Sequence, residues 1–584
     1  MILYAIEIAE RQARELVEQA LSFADFEVSE PKHEAFGDLS SNACFMLARK
    51  LGKSPQQTAA EAAQKISRRL PTRFLESVSA AGGYLNFKFS NEFFVESLKE
   101  VLELGSGYGR STENKGKTAV VDYSCPNVGK PLHVGHVRST IYGDAVKRLL
   151  AASGYKAIGF NYLGDSGAQV AKLLLALKRY RDLPPITDEK SMLEYYVRIN
   201  KEASENPALD AQVKEVINKI EAGDEATLEE VKRIRSLSFD AFAKAYKALG
   251  VEFDEVTGES SFINAARQVV KEIIEKKLAF RDEEGATVLR LEEHGLPNTV
   301  IARSNGTTLY LTRDIALADY KYAKYGFNLS FYATDSRQNT HFAQLFKVLE
   351  LLGRPYAGKC AHKGFGFLTL QGGVISTREG RMVFLEDVVS EAVSEARKQV
   401  LARQEKKEAR TGEKTTEEEA SEAAQLIGVG SLKFATLRVS AEKNIEFDLR
   451  KIVSFEGDTG AYVQYSLVRC KNILRKAGTD KKALQQALKP QEKLSLNEHE
   501  RRLLRTISNY PATISCAAKS FAPNIVCDYL LRLCAAFSSF YEFSPVLNAE
   551  TTELRSQRLA IVAATATVLR NGLSVLGIAA PEKM

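Results

Sequence analysis

Tryptophan is absent from this chain of 584 residues, and methionine and histidine are sparse, at 5 and 7 copies. Other absences bound what the protein can be. No apolar run approaches the roughly 20 residues that cross a bilayer, so no membrane-spanning helix is expected. The opening Met1-Ile2-Leu3-Tyr4-Ala5-Ile6-Glu7 lacks a basic segment followed by an apolar stretch and a small-residue cleavage site, and a cytoplasmic location is expected. The 7 cysteines are scattered, with no C-x-x-C and no Cys/His ligand spacing, which argues against disulfides and a structural zinc site. Charge of one sign is lacking too: Lys+Arg total 80 against 74 Asp+Glu, a net +6 that leaves room only for local basic patches. No period of repeat-protein length is visible. What remains is a globular chain, 45% hydrophobic and 26% charged, long enough for several separately cored domains.

Three domains are expected. Residues 1–110 open with a helical pattern, end in the strand-like Gly82-Gly83-Tyr84-Leu85-Asn86-Phe87-Lys88-Phe89, and close on a linker, Gly105 to Arg110. That glycine run is no dinucleotide fingerprint, since it follows a helix and its spacing is wrong. Residues 111–445 alternate strands with helices, the pattern of a parallel α/β sheet, interrupted at about 181–295 by a charged, largely helical insertion. Residues 446–584 read as helical to the end. Arg403 to Glu422 has almost no apolar face and reads as a solvated helix or loop.

Two of the few histidines fall in one tetrad, His133-Val134-Gly135-His136. Thr118 to Asp122 reads as a buried strand before it. Val137, Ile141, Ala145 and Leu149 recur at helical spacing after it, and Gly154 closes the pattern as a C-cap would. A strand-to-helix turn offers backbone N–H groups and a positive dipole end to an anion. Imidazole donors there suit phosphate oxygens, and Gly135 lets a flat base approach the backbone. Chemistry at the α-phosphate of a nucleoside triphosphate is one reading; a surface pair or partial metal site is the other.

The neighbours decide between them. Pro126-Asn127-Val128-Gly129-Lys130-Pro131-Leu132-His133-Val134-Gly135-His136-Val137-Arg138-Ser139-Thr140 resembles the extended signature of class I aminoacyl-tRNA synthetases, in the form used by the arginyl-tRNA synthetase family. Asn161 to Gln169 resembles that family's N-x-x-G-D-W-G-x-Q block, with Ser166 in place of the usual Trp. Tyr310-Leu311-Thr312-Arg313-Asp314 resembles its L-Y-x-T-R-D block. If a helix starts near Thr312, the phenol and the carboxylate converge, and a carboxylate is what a planar guanidinium binds. Taken alone, Asp314 also reads as a first-turn acid complementing a helix dipole. Glu456 to Arg469 resembles the family's passage into a helical anticodon-binding domain. The blocks run in order along the whole chain.

The resemblance implies a Rossmann-like class I catalytic domain between an α+β N-terminal domain and an all-α anticodon-binding domain. It implies activation of L-arginine by ATP with Mg²⁺ and transfer to the 3′-terminal adenosine of arginine tRNA, in a cytoplasmic monomer without a bound structural metal. His133 and His136 take the α-phosphate. Pro126, Asn127, Lys130, Gly135, Ser376 and Thr377 complete the ATP site. Asp122, Asn127, Tyr310, Asp314 and Gln338 read arginine, and Tyr462 and Arg469 face tRNA. Core packing is the alternative for Tyr462, Tyr465 and Phe543, and an inert buried thiol for Cys125. The chain departs from the K-M-S-K-S loop of the class at Val374-Ile375-Ser376-Thr377-Arg378-Glu379, where both lysines are lost. Lys130 is then the leading cation for the departing pyrophosphate, and Arg378 the second. A small-molecule nucleotidyltransferase and a non-catalytic tRNA-binding paralogue are the rival readings.

Overall fold

The computed structural model describes residues 3–31, 33–129, 132–187, 189–370, 384–411, 416–478 and 494–583. At its centre the strands Thr118–Asp122, Lys156–Leu163, Glu255–Gly258, Leu329–Asp335 and Cys360–Phe365 form one sheet, every neighbouring pair parallel. Counted along the chain, their order across the sheet is fifth, fourth, first, second, third. Parallel strands need cover on both faces. Ala119, Val121, Leu163, Phe331 and Ala333 supply one core, and Val120, Ile158, Phe160 and Tyr332 the other. The winding reverses between the first and fourth strands, and the carboxyl-end crevice at such a switch point is where doubly wound sheets bind ligands.

The helix after the H-x-G-H tetrad runs Val134–Ala152, with Val137, Ile141, Ala145 and Leu149 fully buried. It stops at Ser153, and Gly154 follows at φ +95°, a value that favours glycine.

Residues 181–295 are mostly helix but carry short strands as well. Helices Glu189–Glu205, Pro207–Ala222 and Glu225–Leu249 form a packed group, but Glu255–Gly258 is the edge strand of the central sheet. Ala279–Arg281 and Thr287–Leu289 then join Thr299–Ala302 in an antiparallel sheet. Strands of three or four residues are too short to show an alternating pattern.

The N-terminal residues fold as a four-stranded sheet backed by helices, the longest Ala5–Leu21, around Phe74, Phe87, Phe89, Phe93 and Phe94. The expected linker is a packed joint. Tyr108 is buried, and Asn571 from the last helix, Thr552–Val575, donates to the carbonyls of Gly105 and Tyr108. Arg403 lies on the helix Leu385–Thr411 and stacks over Phe455 and Tyr465, so that charged stretch carries at least one packed residue. From Gly460 onward the described elements are all helices. No helix among the described residues is long and apolar enough to cross a membrane.

Candidate active site

The carboxyl ends of the sheet enclose a cavity of about 430 Å³. Asp122 reaches it from the first strand, Asn127 from the turn beyond, Tyr162 and Gly164 from the second strand's end, and Glu259 from the third's. Thr334, Gln338 and His341 follow the fourth strand, and Tyr310 and Asp314 lie one turn apart on the helix Tyr310–Tyr325. The helix begins at Tyr310, two residues before Thr312, because Leu309 is its extended N-cap. All five residues expected to read arginine therefore line one space.

The chain is strained where it leaves the first strand. Ser124 and Cys125 both take left-handed φ values, 68° and 44°. Each costs on the order of 1–3 kcal/mol and needs compensation. Asn161 accepts from the Cys125 amide at 3.1 Å, and Thr140 from the signature helix donates to the Ser124 hydroxyl at 2.9 Å. Burial pushes the Cys125 thiol up to about 12, which makes it an inert wall group.

The two signature imidazoles cap their own helix. The Gly135 amide donates to His133 Nδ1 and the His133 amide to His136 Nδ1, each at 3.1 Å, and the ring centres lie 4.1 Å apart. An Nδ1 that accepts leaves the ring proton on Nε2, so each neutral ring presents an N–H donor at a helix N-terminus. A Cβ at position 135 would meet the His133 ring at 2.8 Å, so glycine is needed for the cap itself as well as for any base above it. Pro126 is buried and its carbonyl accepts from Gly164.

Three acids line the cavity, and a fourth, Glu221, pairs with Arg313 behind it. Asp122 pairs with buried Lys321 at 2.5 Å; burial still raises its pKa against that lysine, and its Oδ1 is buried without a partner among the described residues. Asp314 bonds His341 Nε2 at 2.6 Å. Burial works to lower the His341 pKa, but the hydrogen bond and charge of Asp314 outweigh it and raise the net value. Glu259 and Glu221 share one guanidinium, that of Arg313. Burial drives Glu259 up to about 7, opposed by its bond from Ser166 and by Arg313. The hydroxyls of Tyr162 and Tyr332 are also buried without partners among the described residues. Unsatisfied donors and acceptors around a pocket are what a polar ligand would satisfy.

Glu259, Tyr162 and His341 were not anticipated from sequence. The sequence signal for Glu259 is the G-E-S turn after the third strand, held because Asp165 accepts from the Ser260 amide at 2.7 Å and its hydroxyl at 2.8 Å. Lys130, Ser376, Thr377 and Arg378 lie outside the described residues. The segments on either side of 371–383 are anchored to the signature. Arg138 of the signature helix donates to the carbonyls of Gly366, Ser440 and Lys443, and Leu385 donates to the carbonyl of Leu132. In the C-terminal helices Tyr462 packs on the core with its hydroxyl on Ser538, while Arg469 stacks 3.7 Å over Tyr541. Phe543 is 57% exposed and stacks on His499, so it is no core aromatic.

A doubly wound parallel sheet with paired imidazoles heading its first helix defines the class, and residues 97–449 match the family model described as tRNA synthetases class I (R), catalytic domain. Residues 6–89 match the arginyl tRNA synthetase N terminal domain, and 463–584 the DALR anticodon binding domain. The arginine–tRNA ligases of Clostridioides difficile and Clostridium perfringens are 36% and 35% identical, over 95% and 99% of both chains. The solved Thermus thermophilus arginyl-tRNA synthetase superposes with a TM-score of 0.80 at 28% identity, over 98% of this chain and 100% of that one. The Plasmodium falciparum arginyl-tRNA synthetase, 21% identical, shares the fold over 100% of both chains at a TM-score of 0.82. The chain belongs to the arginyl-tRNA synthetase family, and its activity is the ATP-driven joining of arginine to its tRNA.

Proposed function

We propose that the cavity at the switch point is the arginine pocket and that the turn headed by His133 and His136 is where arginine's carboxylate attacks the α-phosphate of ATP. The observation that carries this reading is the convergence of Asp314, Glu259, Asp122, Tyr310 and Gln338 on one space at the carboxyl edge of the sheet. Asp314 and Glu259 face the guanidinium, with Tyr310 and Tyr162 beside them. Gln338 adds a third contact to the arginine side chain, and Asn127 and Asp122 serve the amino-acid end. The Nε2–H groups of His133 and His136 stabilise charge that builds on the α-phosphate, and positioning provides most of the rate. The arginyl group passes first to the 2′-hydroxyl of the terminal adenosine. Mg²⁺ enters with the nucleotide, held mainly by phosphate oxygens and water.

Lys130 neutralises the departing pyrophosphate, with Arg378 second, and Ser376 and Thr377 complete the ATP site. Residues 1–110 and 446–584 hold the tRNA body, with Tyr462 and Arg469 on the tRNA side. The enzyme works as a cytoplasmic monomer that needs tRNA before it activates arginine. The test is pyrophosphate exchange with arginine, with and without tRNA. Lys130→Ala is expected to lose on the order of 3–4 kcal/mol of transition-state stabilisation, more than Arg378→Ala. A Lys130→Ala enzyme with near-normal exchange removes that assignment.

A further inference from the structure

Ser166 stands where the family pattern carries Trp, and the structure gives the hydroxyl specific partners. It donates to Glu259 Oε2 in a short bond and accepts from Arg313 Nη1 at 2.6 Å. The other arm of Arg313 donates to Glu221 and, at 3.2 Å, to the Thr308 carbonyl. Only a group that donates and accepts at once can bridge Glu259 and Arg313 in this way. A serine hydroxyl does so; an indole N–H donates only.

Around Glu259 the acids are paired. Asp165 has Arg235, Asp122 has Lys321 and Asp314 has His341. Glu221 and Glu259 share Arg313 between them. Glu259 faces Arg313, Asp314 and Tyr310 from one helix, Asp165 from the loop beside it and Tyr162 from the second strand. Burial favours its neutral form, and the Ser166 hydrogen bond and the charge of Arg313 favour the ionised one.

We propose that Ser166 is a positioning residue: by bridging Arg313 and Glu259 it fixes the second carboxylate of the arginine pocket in the orientation and charge state that receives a guanidinium. The proposal rests on the reading of the cavity as the arginine pocket. Without the hydroxyl, Glu259 loses a short hydrogen bond that both orients it and favours its ionised form, so the neutral form gains near neutrality. Arginine then meets a neutral acid. At alkaline pH Glu259 ionises with or without Ser166, and the deficit shrinks.

The experiment compares Ser166→Ala, Ser166→Thr and Glu259→Gln in tRNA charging, with KM for arginine and for ATP measured from about pH 6.5 to about pH 9. Ser166→Ala is expected to raise the arginine KM about ten-fold near neutrality, the loss of one hydrogen bond to a charged group, and to leave the ATP KM unchanged. The excess should fade toward the alkaline end, and Ser166→Thr, which keeps the hydroxyl, should restore the value. An arginine KM at the wild-type value, or one raised by the same factor at every pH, overturns the proposal. Glu259→Gln separates the two levels. If it raises the arginine KM while Ser166→Ala does not, Ser166 alone is misassigned; if it changes nothing, the pocket reading fails.

Discussion

A buried carboxylate discriminates through what it suffers when its partner is missing, and Asp314 is the clearest case here. Half-buried and bonded to His341, it would exchange that donor for a bidentate one in the guanidinium of the proposed function. Asp314→Ala should raise the arginine KM about a hundred-fold and leave the ATP KM nearly intact, as measured by charging kinetics. His341 carries a second consequence. Its folded pKa lies above its unfolded value, so the pair's contribution to stability is full below the unfolded value and is lost as pH rises through the folded one. Thermal melts should show His341→Gln destabilised near pH 6 and close to wild type near pH 9. At this scale the sequence was partly legible. Tyr310 and Asp314 could be paired by their spacing, because one helical turn brings them together. Glu259 and His341 could not, because they reach the cavity from separate strand ends that only the winding of the sheet brings together.

The signature helix shows what an element adds to its residues. Its extent was readable from four apolar positions and a terminal glycine. Its capping was not, since histidine is not among the residues whose caps are recognised by type. Because His133 and His136 cap the helix through their own rings, whatever disturbs the cap moves both imidazoles. Gly135→Ala pushes on the His133 ring and should cut charging activity by far more than its effect on thermal stability, on the order of 1 kcal/mol for a disturbed cap, indicates. Arg138 was hidden for another reason. A charged residue in a helix is expected at the surface, yet this one is 2% exposed and spends its donors on three backbone carbonyls. Arg138→Ala should cost about 3 kcal/mol or more in denaturant unfolding, since those carbonyls stay buried.

The whole molecule is joined by polar groups reaching across long sequence distances. Arg501 of the C-terminal helices donates to Asp38 and to the Phe89 carbonyl of the N-terminal sheet. Lys433, fully buried, donates to the carbonyls of Leu249 and Gly577 at 2.7 Å each and lies 3.6 Å from Asp144 of the signature helix. Burial lowers its pKa to about 8. A lysine that gives up its proton more readily folded than unfolded weighs against folding at neutral pH, by on the order of 3 kcal/mol, and that burden lifts as pH climbs from the folded toward the unfolded value. The melting temperature of wild type should therefore gain on that of Lys433→Met between about pH 8 and about pH 10.

Lys433 draws its partners from the end of the inserted helices, the middle of the signature helix and the last turns of the chain. A break in the chain between 250 and 432 would part the ammonium from Leu249 and Asp144, and one between 434 and 576 would part it from Gly577. Only a docking correct at all three places satisfies it, so this lysine serves as a checksum on assembly.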